Sequence, residues 1–155
     1  RMSVRRAASS LLQQVAYPGD EQAIERVTAL LPHGSSFVRA SAAEALSGLA
    51  VPGDQRIIGE AFILLGDRCP EVRRAAVGLL CAMAEKGDGR ILSVTAWRLE
   101  DSHASVRCAA LSALAFLGAA ENLLCVGLAD RESVVREAAL RSLATAAKRA
   151  SSEDE

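Results

Sequence analysis

Small and apolar residues recur behind a Val-Arg dipeptide at five places: Val4-Arg5, Val38-Arg39, Val72-Arg73, Val106-Arg107 and Val135-Arg136. Successive valines are 34, 34, 34 and 29 residues apart. Small residues follow three and four positions after each valine and a leucine eight positions after it, as in FVRASAAEALSGLA and EVRRAAVGLLCAMA. Positions spaced by four and eight share one face of an α-helix, so the pattern predicts five matched amphipathic helices.

A second amphipathic segment precedes four of them: GDEQAIERVTALL, GDQRIIGEAFILL, GDGRILSVTAWRL and the shorter AAENLLCVGLA. Gly19, Gly53 and Gly87 interrupt the preceding helix, and Asp20, Asp54 and Asp88 stand where a carboxylate caps the free N–H groups of the next. Pro18 and Pro52 reinforce the first two boundaries. The predicted map is a leading helix at about 3–16, then pairs at 20–31 and 37–50, 54–65 and 71–84, 89–99 and 105–117, and 120–129 and 133–148. The last pair is five residues short, most economically in the turn before it and the start of its first helix. Such a register predicts a right-handed α-solenoid whose neighbouring hairpins share a continuous core.

Ala42, Leu46 and Leu49 align with Ala76, Leu80 and Met83 and with Ala110, Leu114 and Leu117, and are the expected core. Residues 1–150 are expected to form one array, a fragment of a longer one, followed by an acidic flexible tail at 151–155.

Half of the 155 residues are hydrophobic, but only one Trp, one Tyr and three Phe are present, so the core must be built from Ala, Leu and Val. The net charge of -1 disfavours a general nucleic-acid binder. No apolar run approaches the roughly 20 residues needed to span a bilayer, and the first residues lack a signal-peptide pattern, so a cytoplasmic protein is expected. Cys69, Cys81, Cys108 and Cys125 form no close CxxC pair and read as structural thiols.

The GDxxxI starts, the D/HxxxxVRxxAxxxL links and the alternating helix lengths resemble HEAT repeats over almost residues 3–147. The resemblance is greatest to the short bacterial type associated with phycobilisome-lyase-like families. Tetratricopeptide and ankyrin frameworks are missing. The resemblance implies an all-α solenoid of HEAT-like helical hairpins, but the same scaffold carries many unrelated functions.

Arg39, Arg73, Arg107 and Arg136 fall near the starts of second helices, where a cation gains nothing from the helix dipole. Asp67, Asp101 and Asp130, five residues before the matching valines, can accept backbone hydrogen bonds in the turns and face these arginines as a structural ladder. His33 replaces the aspartate in the first turn. His33 and His103 are expected to be turn residues, since neither has a companion ligand at metal-site spacing. Trp97 shares its register with Ala29 and Ile63 and is expected to pack between pairs, whereas Phe116, at the register of Gly48, Ala82 and Thr145, is the better surface residue.

No convergent acid, base, nucleophile, cofactor loop or metal set is visible, so the leading expectation is a non-enzymatic scaffold. It would hold a protein or peptide partner on the concave face of the second helices, with Glu44, Ser47, Gly78, Cys81, Ser112, Phe116 and Arg141 in the groove. Self-association through an uncapped terminal helix is a further route. Two alternatives stand beside the scaffold: a bilin lyase or lyase-chaperone, implied by the resemblance, and a DNA-binding or DNA-repair protein using the scattered arginines.

Overall fold

A computed structural model describes residues 17–85 and 88–153. The expected leading helix at 3–16 and Gly87 lie outside the described residues. The described chain is an all-α helical-repeat solenoid of the HEAT type with eight α-helices and no strand among the described residues. It divides into two compact units, residues 1–85 and 86–155.

The first unit contains α1 (Glu21–Thr28), α2 (Ser36–Leu49), α3 (Gln55–Leu64) and α4 (Pro70–Met83). Asp20 and Asp54 start α1 and α3, accepting from the N–H groups of Ala23 at 3.1 Å and Arg56 at 2.9 Å. Before each cap a glycine turns left-handed, Gly19 at φ 89° and Gly53 at φ 86°, a conformation that costs a side chain energy. The Gly19 and Gly53 N–H groups donate to the last carbonyls of the following second helices, Leu49 at 2.8 Å and Met83 at 2.9 Å. The turns therefore both start a helix and satisfy the end of another. Pro70 opens α4, where its missing N–H has no helical partner to lose. Ile24, Val27, Ala42, Leu46, Leu49, Ile57, Ile58, Ala61, Ala76, Leu80 and Met83 are buried.

The second unit contains α5 (Gly89–Trp97), a 3-10 turn at Arg98–Glu100, α6 (Ala104–Leu117), α7 (Glu121–Cys125), a 3-10 turn at Val126–Ala129, and α8 (Ser133–Glu153). Asp88 caps α5 through the N–H groups of Arg90 at 3.0 Å and Ile91 at 3.2 Å. Leu111, Leu114, Leu124, Val135 and Ala139 form its central cluster, with Leu143 and Ala146 packed against it. Ala110 and Leu114 are buried as expected from the repeat register, while Leu117 is only half-buried.

The shortened pair loses residues where the register predicts. Only residues 118–120 separate α6 from α7, against 50–54 between α2 and α3, and the first helix shrinks to little more than one turn. Gly127 lets this remnant lie flat on its neighbours: a Cβ there would come within 2.8 Å of Leu111 Cδ1 and 2.9 Å of Ala139 Cβ. At the other end α8 runs through Glu153, so residues 151–153 continue the helix where a tail was expected.

Candidate functional site

The repeated arginines are built into the turns. Arg39 donates Nε to Asp67 Oδ2 at 2.7 Å and Nη2 to Asp67 Oδ1 at 2.9 Å, while its Nη1 reaches the carbonyls of His33 and Gly34. Arg107 repeats this with Asp130 at 2.7 and 2.8 Å, and its Nη1 donates to the Asp101 carbonyl at 2.8 Å. Each guanidinium thus stitches its own turn to the turn of the next pair, using the fork geometry that suits a carboxylate. Arg73 and Arg136 make the own-turn contacts, to the Asp67 carbonyl at 2.9 Å and the Asp130 carbonyl at 2.8 Å.

The aspartates have a second task. Asp67, Asp101 and Asp130 accept from the N–H two residues on, at Cys69, His103 and Glu132, over 2.8 to 2.9 Å. In the first turn His33 Nδ1 replaces that carboxylate, accepting from Ser35 N–H at 3.0 Å. His103 is also a cap, its Nδ1 lying 2.9 Å from Ser105 Oγ. The Arg39 and Arg107 guanidiniums hold the carboxyls of Asp67 and Asp130 below the ordinary aspartate value, against the opposing effect of partial burial. The same bonds raise the pKa of Arg39 and Arg107.

The expected groove residues fall in both units. In the first, Glu44 on α2 is half-buried and pairs with Arg74 of α4 at 2.9 Å. Ser47 turns its hydroxyl back to the Ala43 carbonyl at 3.1 Å, Gly78 is exposed, and burial pushes the half-buried Cys81 thiol up. In the second, Ser112 likewise donates within its own helix, to Cys108, while Arg141 on α8 pairs with Glu137 at 2.9 Å. Phe116 is 66% exposed on α6. Arg149 donates to the Ala115 carbonyl at 3.0 Å and to that of Phe116, so a cation from α8 closes the negative end of α6 beside the exposed ring.

Trp97 does not pack between pairs: it is 77% exposed. The buried positions of α5 are Ile91 and Thr95, four residues apart, and Trp97 projects from the other side of the helix. Ile63, at the same register of α3, is 70% exposed. The first helices also border an open groove of about 710 Å³ lined by Glu21, Glu25, Ile57, Arg56 and Glu60. Arg56 spans its rim, bonding Glu21 at 3.2 Å and Asp54 at 3.0 Å. Nothing in the repeat pattern marks that groove.

The HEAT-repeat profile matches residues 60–144. The chain belongs to the HEAT-repeat family. A chain of the solved complex of CpcE and CpcF of phycocyanin lyase from Nostoc sp. PCC7120 shares this HEAT fold with a TM-score of 0.72 and 23% sequence identity, over 92% of this chain and 90% of that one. No curated protein matches the sequence.

This structural likeness corrects the expectation of a purely non-enzymatic HEAT scaffold, and with it the expectation that the protein is no enzyme. The fold shared across nearly all of both chains is one that a lyase complex uses. The missing catalytic or metal constellation carried that expectation. Among the described residues no helix is long and apolar enough to cross a membrane, and no His, Cys, Asp and Glu group is arranged to hold a metal ion.

Proposed function

We propose that this HEAT protein is a bilin lyase subunit or lyase-chaperone, acting with a protein partner to deliver an open-chain tetrapyrrole to an acceptor protein. The observation that carries the reading is the end-to-end correspondence with a chain of the phycocyanin lyase complex. A correspondence over 92% and 90% of the two chains spans far more than a single shared repeat would.

The second-helix face offers groups that suit such a cargo. A bilin combines a flat conjugated apolar system with propionate carboxylates. Phe116 supplies an exposed aromatic face on α6. Arg141 on α8 supplies a guanidinium whose present partner, Glu137, is equally solvent-exposed and so exchangeable at little cost. Cargo binding and protein docking are the roles assigned to these residues, and no bond-making step is assigned to any of them.

The test is incubation of the purified chain with a bilin and apo-phycocyanin, with the lyase from Nostoc sp. PCC7120 as the active control. Binding seen as a change in the bilin absorption spectrum, together with a greater yield or fidelity of chromophore attachment, is the expected result. No spectral change and no transfer while the control is active would overturn the proposal.

A further inference from the structure

In the first unit α1 rests mainly on α2 and α3 on α4, and the two first helices leave an open groove of about 710 Å³ between them. Ile24 and Ile57 form its buried floor, and Ala29 and Pro32 extend the apolar surface into solvent. Three carboxylates stand along it, Glu21 and Glu25 from α1 and Glu60 from α3, against the single guanidinium of Arg56. Arg56 Nη2 donates to Glu21 at 3.2 Å. Neither Glu25 nor Glu60 forms a salt bridge among the described residues. The carboxylates do not converge, since no His, Cys, Asp and Glu group among the described residues is arranged to hold a metal ion. They are strung out instead: Glu25 follows Glu21 by four residues, a rise of about 6 Å on the helix. Alternate side chains of an extended chain are about 6.6 Å apart and lie on one side of it.

We infer that the groove between α1 and α3 is a docking site for an extended segment of a partner protein in which basic and aliphatic side chains alternate. Two basic side chains on one side of such a segment match the spacing of Glu21 and Glu25 on the α1 wall. The aliphatic side chain between them turns to the α3 wall, where Ile57 offers apolar surface and Glu60 adds a third negative charge. The Arg56 bond shows that this wall already holds a guanidinium. Arg56 and Glu21 are 69% and 73% exposed, so an incoming arginine replaces Arg56 at little cost. Arg56 then keeps its bond to Asp54 at 3.0 Å. The docking site is independent of the bilin reading, because it lies on the first helices, away from the second-helix face assigned to cargo.

A fluorescent peptide of alternating arginine and valine, titrated with the full chain at low ionic strength and followed by anisotropy, tests the site. Saturable binding is expected. Glu21→Gln combined with Glu25→Gln should weaken it about fivefold or more. Arg56→Gln, which removes the competing guanidinium, should tighten it, an effect that no loss of folding produces. Glu121→Gln combined with Glu132→Gln makes the same change of net charge on the second unit and should leave binding unchanged. A peptide of the same composition with its arginines grouped at one end should bind more weakly. Absence of binding, an equal loss with the second-unit pair, or equal affinity for the grouped peptide would overturn the inference. So would self-association of the chain that the groove substitutions abolish, which would make a second copy the occupant.

Discussion

Arg107 and Asp130 lie 23 residues apart in sequence and meet through two charge-assisted hydrogen bonds of 2.7 and 2.8 Å, with both side chains largely withdrawn from water. The pair joins the turn of one helix hairpin to the turn of the next. It holds the repeat register at a point where apolar packing alone, being non-directional, would tolerate slippage.

Removing the carboxylate leaves a buried guanidinium edge without its acceptors. Asp130→Ala is expected to lower the unfolding free energy by about 2–4 kcal/mol. Arg136→Gln, at the register position where no carboxylate among the described residues is engaged, is expected to change it by no more than about 0.5 kcal/mol. Urea denaturation of the two variants checks the contrast, and equal losses would remove the ladder from the account.

The lowered carboxyls of Asp67 and Asp130 make stability depend on acidity. A folded-state pKa below the unfolded value means that the folded chain binds fewer protons, so their contribution is complete above the unfolded value of about 3.9 and is lost as pH falls through the depressed one. The urea midpoint should therefore be insensitive to these two groups from neutrality to about pH 5 and fall at lower pH. Asp130→Asn should start lower at neutral pH and show a shallower acid decline.

Two glycines should respond oppositely to a methyl group. At Gly127 the new Cβ would crowd Leu111 and Ala139, so Gly127→Ala is expected to cost about 1–3 kcal/mol. At Gly78, on an exposed helix surface with nothing within 4 Å, Gly78→Ala is expected to add up to about 1 kcal/mol. Thermal unfolding of the pair measures both signs.

Leu80 is fully buried and Gln55 is exposed. Leu80→Ala is expected to cost about 2–5 kcal/mol through lost packing and the cavity left behind. Gln55→Ala should stay within about 0.5 kcal/mol, and comparable unfolding midpoints for the two would contradict the core placement.

The helix pairs were legible because one side of each helix must be apolar at helical spacing, and the turns because glycine and aspartate have few other reasons to recur there. The arginine partners could be anticipated from the recurrence of turn aspartates. That His33 takes over one aspartate's bond to the backbone could not, because an imidazole and a carboxylate look unlike in sequence yet both accept from an N–H. Trp97 was misplaced because the register it shares with Ala29 and Ile63 was read as a packing position, whereas Ile63 is itself exposed and the angle of Trp97 on α5, set by Ile91 and Thr95, puts it in solvent. The function was least legible. No local motif marks it, and the likeness to a chain of a lyase complex lies in the fold as a whole.

The most direct test of the bilin-handling account is a spectroscopic titration of a bilin with the wild-type chain, with Phe116→Ala and with Ile63→Ala as the first-helix control. The account predicts a saturable spectral change for wild type and Ile63→Ala and a binding constant weakened at least about tenfold for Phe116→Ala, the loss of roughly 1.4 kcal/mol of aromatic contact. A wild-type chain that leaves the bilin spectrum unchanged, or a Phe116→Ala chain that binds as wild type does, would contradict it.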